Sequence, residues 1–163
     1  MMYDLNKLKN SNMYELENIY KCNDNKLIED DLNNINLSVK FIETPNCANY
    51  KIIRYDKHFL NDSTVFEQGL FRSVILKDNN IVVFSPPKSI SKELFFNKYN
   101  INLCKIEQLV EGTMINLFYD NDINQWEVCT RNTVGSNVSF FKKSPSKTFR
   151  KMFFECCCSV NFD

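Results

Sequence analysis

Glu107-Gln108-Leu109-Val110-Glu111-Gly112-Thr113-Met114-Ile115-Asn116-Leu117-Phe118-Tyr119-Asp120 runs into a polar turn. Trp126-Glu127-Val128-Cys129-Thr130-Arg131-Asn132-Thr133-Val134-Gly135-Ser136 follows it. Thr113 to Tyr119 is rich in β-favouring residues, and Asp120 to Gln125 carries turn chemistry. Trp126 to Arg131 alternates large apolar with polar side chains. The pattern predicts two strands around a turn. If the first strand starts at Glu107, Glu107 and Glu111 share a side, an arrangement that suits a metal but more often only faces solvent.

Working outward, Ile35 to Phe41 alternates as a half-buried strand does, and Pro45 to Asn49 breaks it. Tyr50 to Tyr55 reads as a second strand and Gly69 to Leu76 as a third. Asp78-Asn79-Asn80 is hairpin chemistry leading into Ile81 to Phe84. Ser85-Pro86-Pro87-Lys88 must be extended, and Ser91 to Asn97 reads as a short helix. Ser136 to Phe141 is predicted as a further strand. Ser144-Pro145 marks a helix start, with Phe149, Met152, Phe153 and Cys156 as its apolar stripe. Near the start of the chain, Leu16, Ile19 and Tyr20 have helical spacing. Strands joined by hairpins, with helices at the flanks, predict an α+β domain on antiparallel sheet.

The chain of 163 residues has the length of one domain, enough to bury about 70% of its unfolded surface. Net charge is zero, so any nucleic-acid contact needs a local patch rather than a global field. Asn is the commonest residue, as an AT-rich genome such as that of a large DNA virus would impose. Cysteines at 22, 47, 104, 129, 156, 157 and 158 include no Cys-x-x-Cys pair, and with His58 alone there is no zinc-ligand grammar. The odd cysteine count and the lack of a signal peptide point to a reducing cytoplasm. No apolar run approaches the roughly 20 residues of a membrane-spanning helix, and no membrane partner is expected.

Three segments in order resemble the T4-type RNA ligase family of ATP-dependent nucleotidyltransferases. They are Gly69-Leu70-Phe71-Arg72-Ser73-Val74-Ile75, Leu94-Phe95-Phe96-Asn97, and the Glu107–Ser136 hairpin with its Glu-Gly-Thr and Thr-Arg-Asn-Thr-Val-Gly-Ser. The resemblance covers about Tyr50 to Ser136. It implies an antiparallel-sheet, ATP-grasp-like adenylation domain of which residues 1–163 form the N-terminal portion. The family's metal-binding acid and final lysine-bearing strand would then lie beyond Asp163.

The family's chemistry starts when a lysine attacks the α-phosphate of ATP with magnesium help. The adenylate passes to a 5′-phosphate end, and a 3′-hydroxyl displaces AMP. In the family's Lys-x-Asp/Glu-Gly motif the lysine is the nucleophile; here Leu109 stands at that position. Leu94 likewise replaces the lysine before Phe-Phe-Asn. Lys105 lies about 13 Å away along an extended strand, too far for a simple exchange, and Lys88 or Lys92 would need the loop to fold over the site.

The resemblance therefore implies an RNA-ligase-like domain, related to RNA end joining or repair, that does not self-adenylate. Arg72, Glu111, Gly112 and Arg131 would hold nucleotide, with ATP and Mg2+ as cofactors only if the site is active. The alternatives are a non-catalytic nucleotide-, RNA- or protein-binding module, and an active ligase using another lysine. Leu109→Lys would cost about 2 kcal/mol of apolar burial on a strand.

Lys142, Lys143, Lys147, Arg150 and Lys151, interleaved with Phe140, Phe141 and Phe149, form the one basic cluster. It could meet a phosphate backbone with aromatic stacking. Zero net charge favours the plainer reading, a solvated helix face over an aromatic core.

Overall fold

In the computed structural model, residues 36–44, 49–78, 80–141 and 146–162 are described. The sequence-predicted helix around Leu16 to Tyr20, the break at Pro45 and the helix start at Ser144-Pro145 lie outside them.

β1 (Leu37–Glu43) and β2 (Asn49–Tyr55) pair antiparallel, with Leu37 opposite Tyr55 and Glu43 opposite Asn49. β2 pairs with β3 (Val74–Lys77), and β3 with β4 (Asn80–Phe84), giving one sheet in the order β1-β2-β3-β4. A bulge at Ile75/Leu76 shifts the last register. The β3–β4 turn uses Asp78 at φ 47°, a left-handed position that an Asp side chain tolerates. A second sheet, in the order β5-β6-β7, comprises Asn116–Asp120, Gln125–Thr130 and Thr133–Val134. Among the described residues two α-helices accompany the sheets, α1 (Lys92–Lys98) and α2 (Phe149–Ser159). The antiparallel α+β architecture matches the expectation from sequence.

Strand alternation sends neighbouring residues of the first sheet into two different cores. Tyr50, Ile52, Ile75 and Val83 face the second sheet and pack with Phe118, Cys129 and Val134. Ile53, Tyr55, Val74 and Leu76 point the other way and pack with Leu37 and Phe71. The central strands β2 and β3 thus carry apolar side chains on both faces.

Several element boundaries differ from the sequence reading. Gly69 lies in a 3-10 turn, Gln68–Leu70, and the third strand starts only at Val74. A Cβ at Gly69 would meet Val65 Cγ2 at 3.2 Å and Lys88 Cβ at 3.4 Å, so the glycine serves close approach. The central hairpin forms, but its first strand begins at Asn116; 104–115 carries no strand. Without a partner ladder nothing holds that segment extended, and Glu107 and Glu111 are not paired on a strand. Beyond β7, Gly135 and Ser136 both take positive φ, 81° and 50°, which ends the ladder. Ser136 to Phe141 therefore contributes only a bridge, Ser139 to Thr148.

α1 forms where the sequence predicts a short helix, with Ser91 Oγ accepting from the Leu94 N–H at 3.2 Å. α2 is capped instead by Thr148, whose hydroxyl accepts from the Lys151 N–H at 3.2 Å. Phe149, Phe153 and Cys157 lie on its half-covered side, whereas Met152 and Cys156 of the expected stripe are exposed.

Ile52→Ala and Ile53→Ala, one on each face of β2, should each cost about 2–5 kcal/mol in urea denaturation. Thr148→Ala should cost about 1 kcal/mol. A loss under about 1 kcal/mol at either isoleucine would contradict the two-core arrangement.

Candidate functional site

Polar contacts tie the sheets together at opposite ends of the second sheet. At one end the β6–β7 turn, Arg131-Asn132, is held by three donors from the first sheet and its margin. Ser73 Oγ donates to the Arg131 carbonyl at 3.1 Å. Lys40 Nζ donates to the Asn132 carbonyl at 3.2 Å, and Arg54 Nη1 to Asn132 Oδ1 at 2.6 Å. The Ser85 N–H donates to the Ser73 carbonyl at 3.1 Å, and Asn116 Nδ2 to Ser85 Oγ at 3.2 Å. One seam thus joins the approach to β3, the end of β4, the start of β5 and the Arg131 turn.

Of the residues expected to hold nucleotide, Arg72 and Arg131 belong to this seam. Arg72 immediately precedes Ser73, and the Arg131 guanidinium lies over the Tyr55 ring at 5.8 Å. Among the described residues neither arginine pairs with a carboxylate. Glu111 and Gly112 are exposed on the coil that leads to Asn116, and no atom comes within 4 Å of a Cβ built on Gly112. Leu109 is 85% exposed on the same coil. Lys105 pairs with Glu107 there. His58 is exposed in a loop, as its polar neighbours suggest.

The opposite end holds a group that sequence reading missed. Asp120 is buried and accepts hydrogen bonds from the Tyr50 hydroxyl, the Lys77 ammonium and, at 3.0 Å, the Asp122 N–H. Lys77 also pairs with Asp122 at 2.6 Å. Burial alone would raise the Asp120 carboxyl, but the bonds from Lys77 and Tyr50 outweigh it and hold it below the usual carboxylate range. Burial pulls Lys77 down, yet Asp120 and Asp122 hold its ammonium above the usual lysine value. Burial, reinforced by Asp120, pushes the Tyr50 phenol far up. In sequence Asp120 looked like turn chemistry, and no local spacing links it to residues 43 and 70 positions away.

Between these ties, a cleft of about 650 Å³ opens beside β1, β6 and β7. Glu127 lines it at 4% exposure, accepting from Gln125 Nε2 at 2.7 Å and from Arg150 Nη1 at 3.2 Å. β6 does not keep the apparent alternation: Glu127 points in and Trp126 is 54% exposed against Tyr119, while Val128, on the Trp126 side of the strand, is fully buried. Cys129 shares the inward face. Burial, with the Glu127 charge beside it, pushes its thiol up to about 12, so it stays protonated and unreactive at neutral pH.

The basic cluster does not form one open patch among the described residues. Lys142 and Lys143 lie outside them, Lys147 pairs with Glu155 at 2.6 Å, and Arg150 is committed to Glu127. Lys151 is exposed. The aromatic core expected beneath it is not formed by Phe140 and Phe141, which are 74% and 69% exposed and packed on each other. Among the described residues no helix is long and apolar enough to cross a membrane.

Comparison with protein-family models, with curated proteins and with solved structures finds no match to this chain.

The Asp120 group sets a pH dependence with two limbs. Asp120, held below its unfolded value of about 4, adds stability that is complete above that value and is lost as pH falls through the folded one. Lys77, held above about 10.4, adds stability complete below that value and lost as pH rises through the folded one. Asp120→Ala should cost about 3–5 kcal/mol at neutral pH, because Lys77 and Tyr50 lose their buried acceptor. Denaturation followed from pH 3 to 11, about one unit beyond each unfolded value, should show both limbs weakened in the variant. Unchanged limbs would assign the pH dependence elsewhere.

Proposed function

We propose that this chain is an RNA-ligase-like nucleotidyltransferase domain that binds a nucleotide without forming a covalent adenylate. The observation that carries the reading is the seam: the Ser73 hydroxyl, next to Arg72, donates to the Arg131 carbonyl, so the fold joins the backbones of two segments that resemble the family. Among the described residues neither guanidinium has a carboxylate partner, and each suits a polyphosphate, which it can meet by charge-assisted hydrogen bonds. Leu109 at the nucleophile position offers no amine, and the exposed coil around it offers no fixed geometry for attack.

Lysines elsewhere do not fill the gap in this reading. Lys105 pairs with Glu107, the Lys88 ammonium donates to Ser89, and Lys92 rests against the Phe96 ring. Among the described residues no group of three His, Cys, Asp or Glu side chains converges. Magnesium, in this reading, enters on the nucleotide's phosphates. Bound there, it would neutralise phosphate charge.

Titration calorimetry with Mg-ATP should detect binding, and Arg72→Ala should weaken it by about tenfold or more, the worth of one hydrogen bond to a charged group. Absence of binding by the unaltered chain would sink the reading in favour of a scaffold without a nucleotide site. Intact-mass analysis after incubation with Mg-ATP should show no added AMP.

Leu109→Lys tests the nucleophile separately. Because Leu109 is exposed rather than on a strand, the substitution should change stability by no more than about 0.5 kcal/mol, not the larger amount expected from sequence. Adenylate should still fail to form, since the coil does not position the new amine. An AMP adduct on that lysine would show that the site is intact except for its nucleophile.

A further inference from the structure

A groove of about 530 Å³, none of whose lining residues belongs to the Arg72–Arg131 seam, lies between α1, the Pro86-Pro87-Lys88 segment and the loop before β3. Its wall is rigid for covalent reasons, because two successive prolines fix their own φ and restrict their predecessors. The Lys88 N–H donates to the Gly69 carbonyl at 2.9 Å, and the missing side chain of Gly69 lets that wall come close. Opposite it stand Phe95 of α1 and Tyr99, the residue that caps α1, whose N–H donates to the Phe95 carbonyl at 2.9 Å. Their ring centroids are 5.1 Å apart, and Tyr99 meets Phe66 edge-on at 6.5 Å. The groove therefore has an aromatic floor of three rings, each only half buried.

Two lysines line the groove: Lys98 sits over the Phe66 ring at 3.3 Å, and Lys88 stands on the proline wall. Lys92, on α1 but outside the lining, lies over the exposed Phe96 at 5.8 Å. Among the described residues none of the three forms an ion pair, although Glu67 and Glu93 are exposed in the same region. Lys147 and Arg150 on α2, by contrast, are neutralised by Glu155 and Glu127. Among the described residues the fold thus leaves lysines without carboxylate partners at this groove, whereas it pairs Lys147 and Arg150 of the cluster that the sequence displays.

We propose that this groove binds single-stranded nucleic acid, with bases stacking against Phe95 and Tyr99 and phosphates meeting Lys88 and Lys98. The combination selects the ligand. Every base offers a π face to an aromatic ring, and the backbone offers one negative charge per nucleotide. A duplex hides its base faces, and an acidic peptide would answer the lysines but leave the rings unused. The groove and its residues are distinct from the seam assigned to nucleotide, so either can fail without the other.

The test is fluorescence anisotropy of a labelled oligouridine against the whole chain at low salt. Binding should weaken as salt rises, and Lys88→Glu with Lys98→Glu should weaken it by at least about tenfold. In the double alanine variant, Lys88→Ala with Lys98→Ala, the slope of log K against log salt should shrink by about 1.4, at about 0.7 per phosphate contact. Tyr99→Ala should lower affinity by roughly tenfold, the scale of one stacked base. The lysine variants change exposed side chains only, so unchanged circular dichroism keeps the test valid if Tyr99→Ala misfolds. Lys151→Glu on α2 should leave binding unaltered. The proposal is overturned by undetectable binding, by loss of binding in Lys151→Glu but not in the groove variants, or by equal competition from poly-glutamate or from duplex.

Discussion

The buried carboxylate of Asp120 is the constraint on which the joining of the two sheets depends. Apolar packing between Tyr50, Ile52 and Ile75 on one side and Phe118, Cys129 and Val134 on the other is strong but not directional. Asp120 adds direction: it accepts from Tyr50 on β2 and Lys77 on β3, so only one placement of the β5–β6 hairpin satisfies all three groups. At the far end Ser73, Lys40 and Arg54 do the same for the Arg131 turn. A one-residue slip of β5 would send Phe118 and Asp120 outward together and leave the Tyr50 hydroxyl and the Lys77 ammonium without their buried acceptor, so the register is specified.

Much of the first sheet was legible because its strands are short, alternating or continuously apolar, and bounded by turn residues. β1, β2 and β4 fall within two or three residues of their predicted bounds, and Ser91 marked the start of α1. The misses have a common origin in contacts distant along the chain. Nothing local shows that Thr113 to Ile115 lack a neighbouring strand, and β-rich composition without a ladder gives coil. Thr148 could not be preferred over Ser144 without the bridge that pairs it with Ser139. The inward turn of Glu127 needed Arg150 to appear beside it, 23 residues on, which makes an inward carboxylate tolerable.

Site residues divide along the same line. Arg72 and Arg131 were picked out by resemblance to a motif, and the fold brings their backbones together through Ser73. Lys77 lies outside the segments that carry the resemblance, and Asp120 and Glu127, though within the hairpin, belong to neither its Glu-Gly-Thr nor its Thr-Arg-Asn-Thr-Val-Gly-Ser. Charge read along the chain gave the α2 cluster prominence, whereas ion pairing in space leaves the lysines around α1 without carboxylates. A count of basic residues is thus a poor guide to where positive potential survives folding.

Trp126, the chain's single tryptophan, stands on the outer face of the β5–β6 hairpin with its ring against Tyr119. An indole more than half in water emits at long wavelength even in the folded protein, so global unfolding shifts its emission little. The core beneath would melt almost unseen by that signal. The same placement makes the indole a selective reporter for anything that covers this face: contact would dehydrate it and move its emission to the blue. In this molecule intrinsic fluorescence follows surface coverage rather than folding.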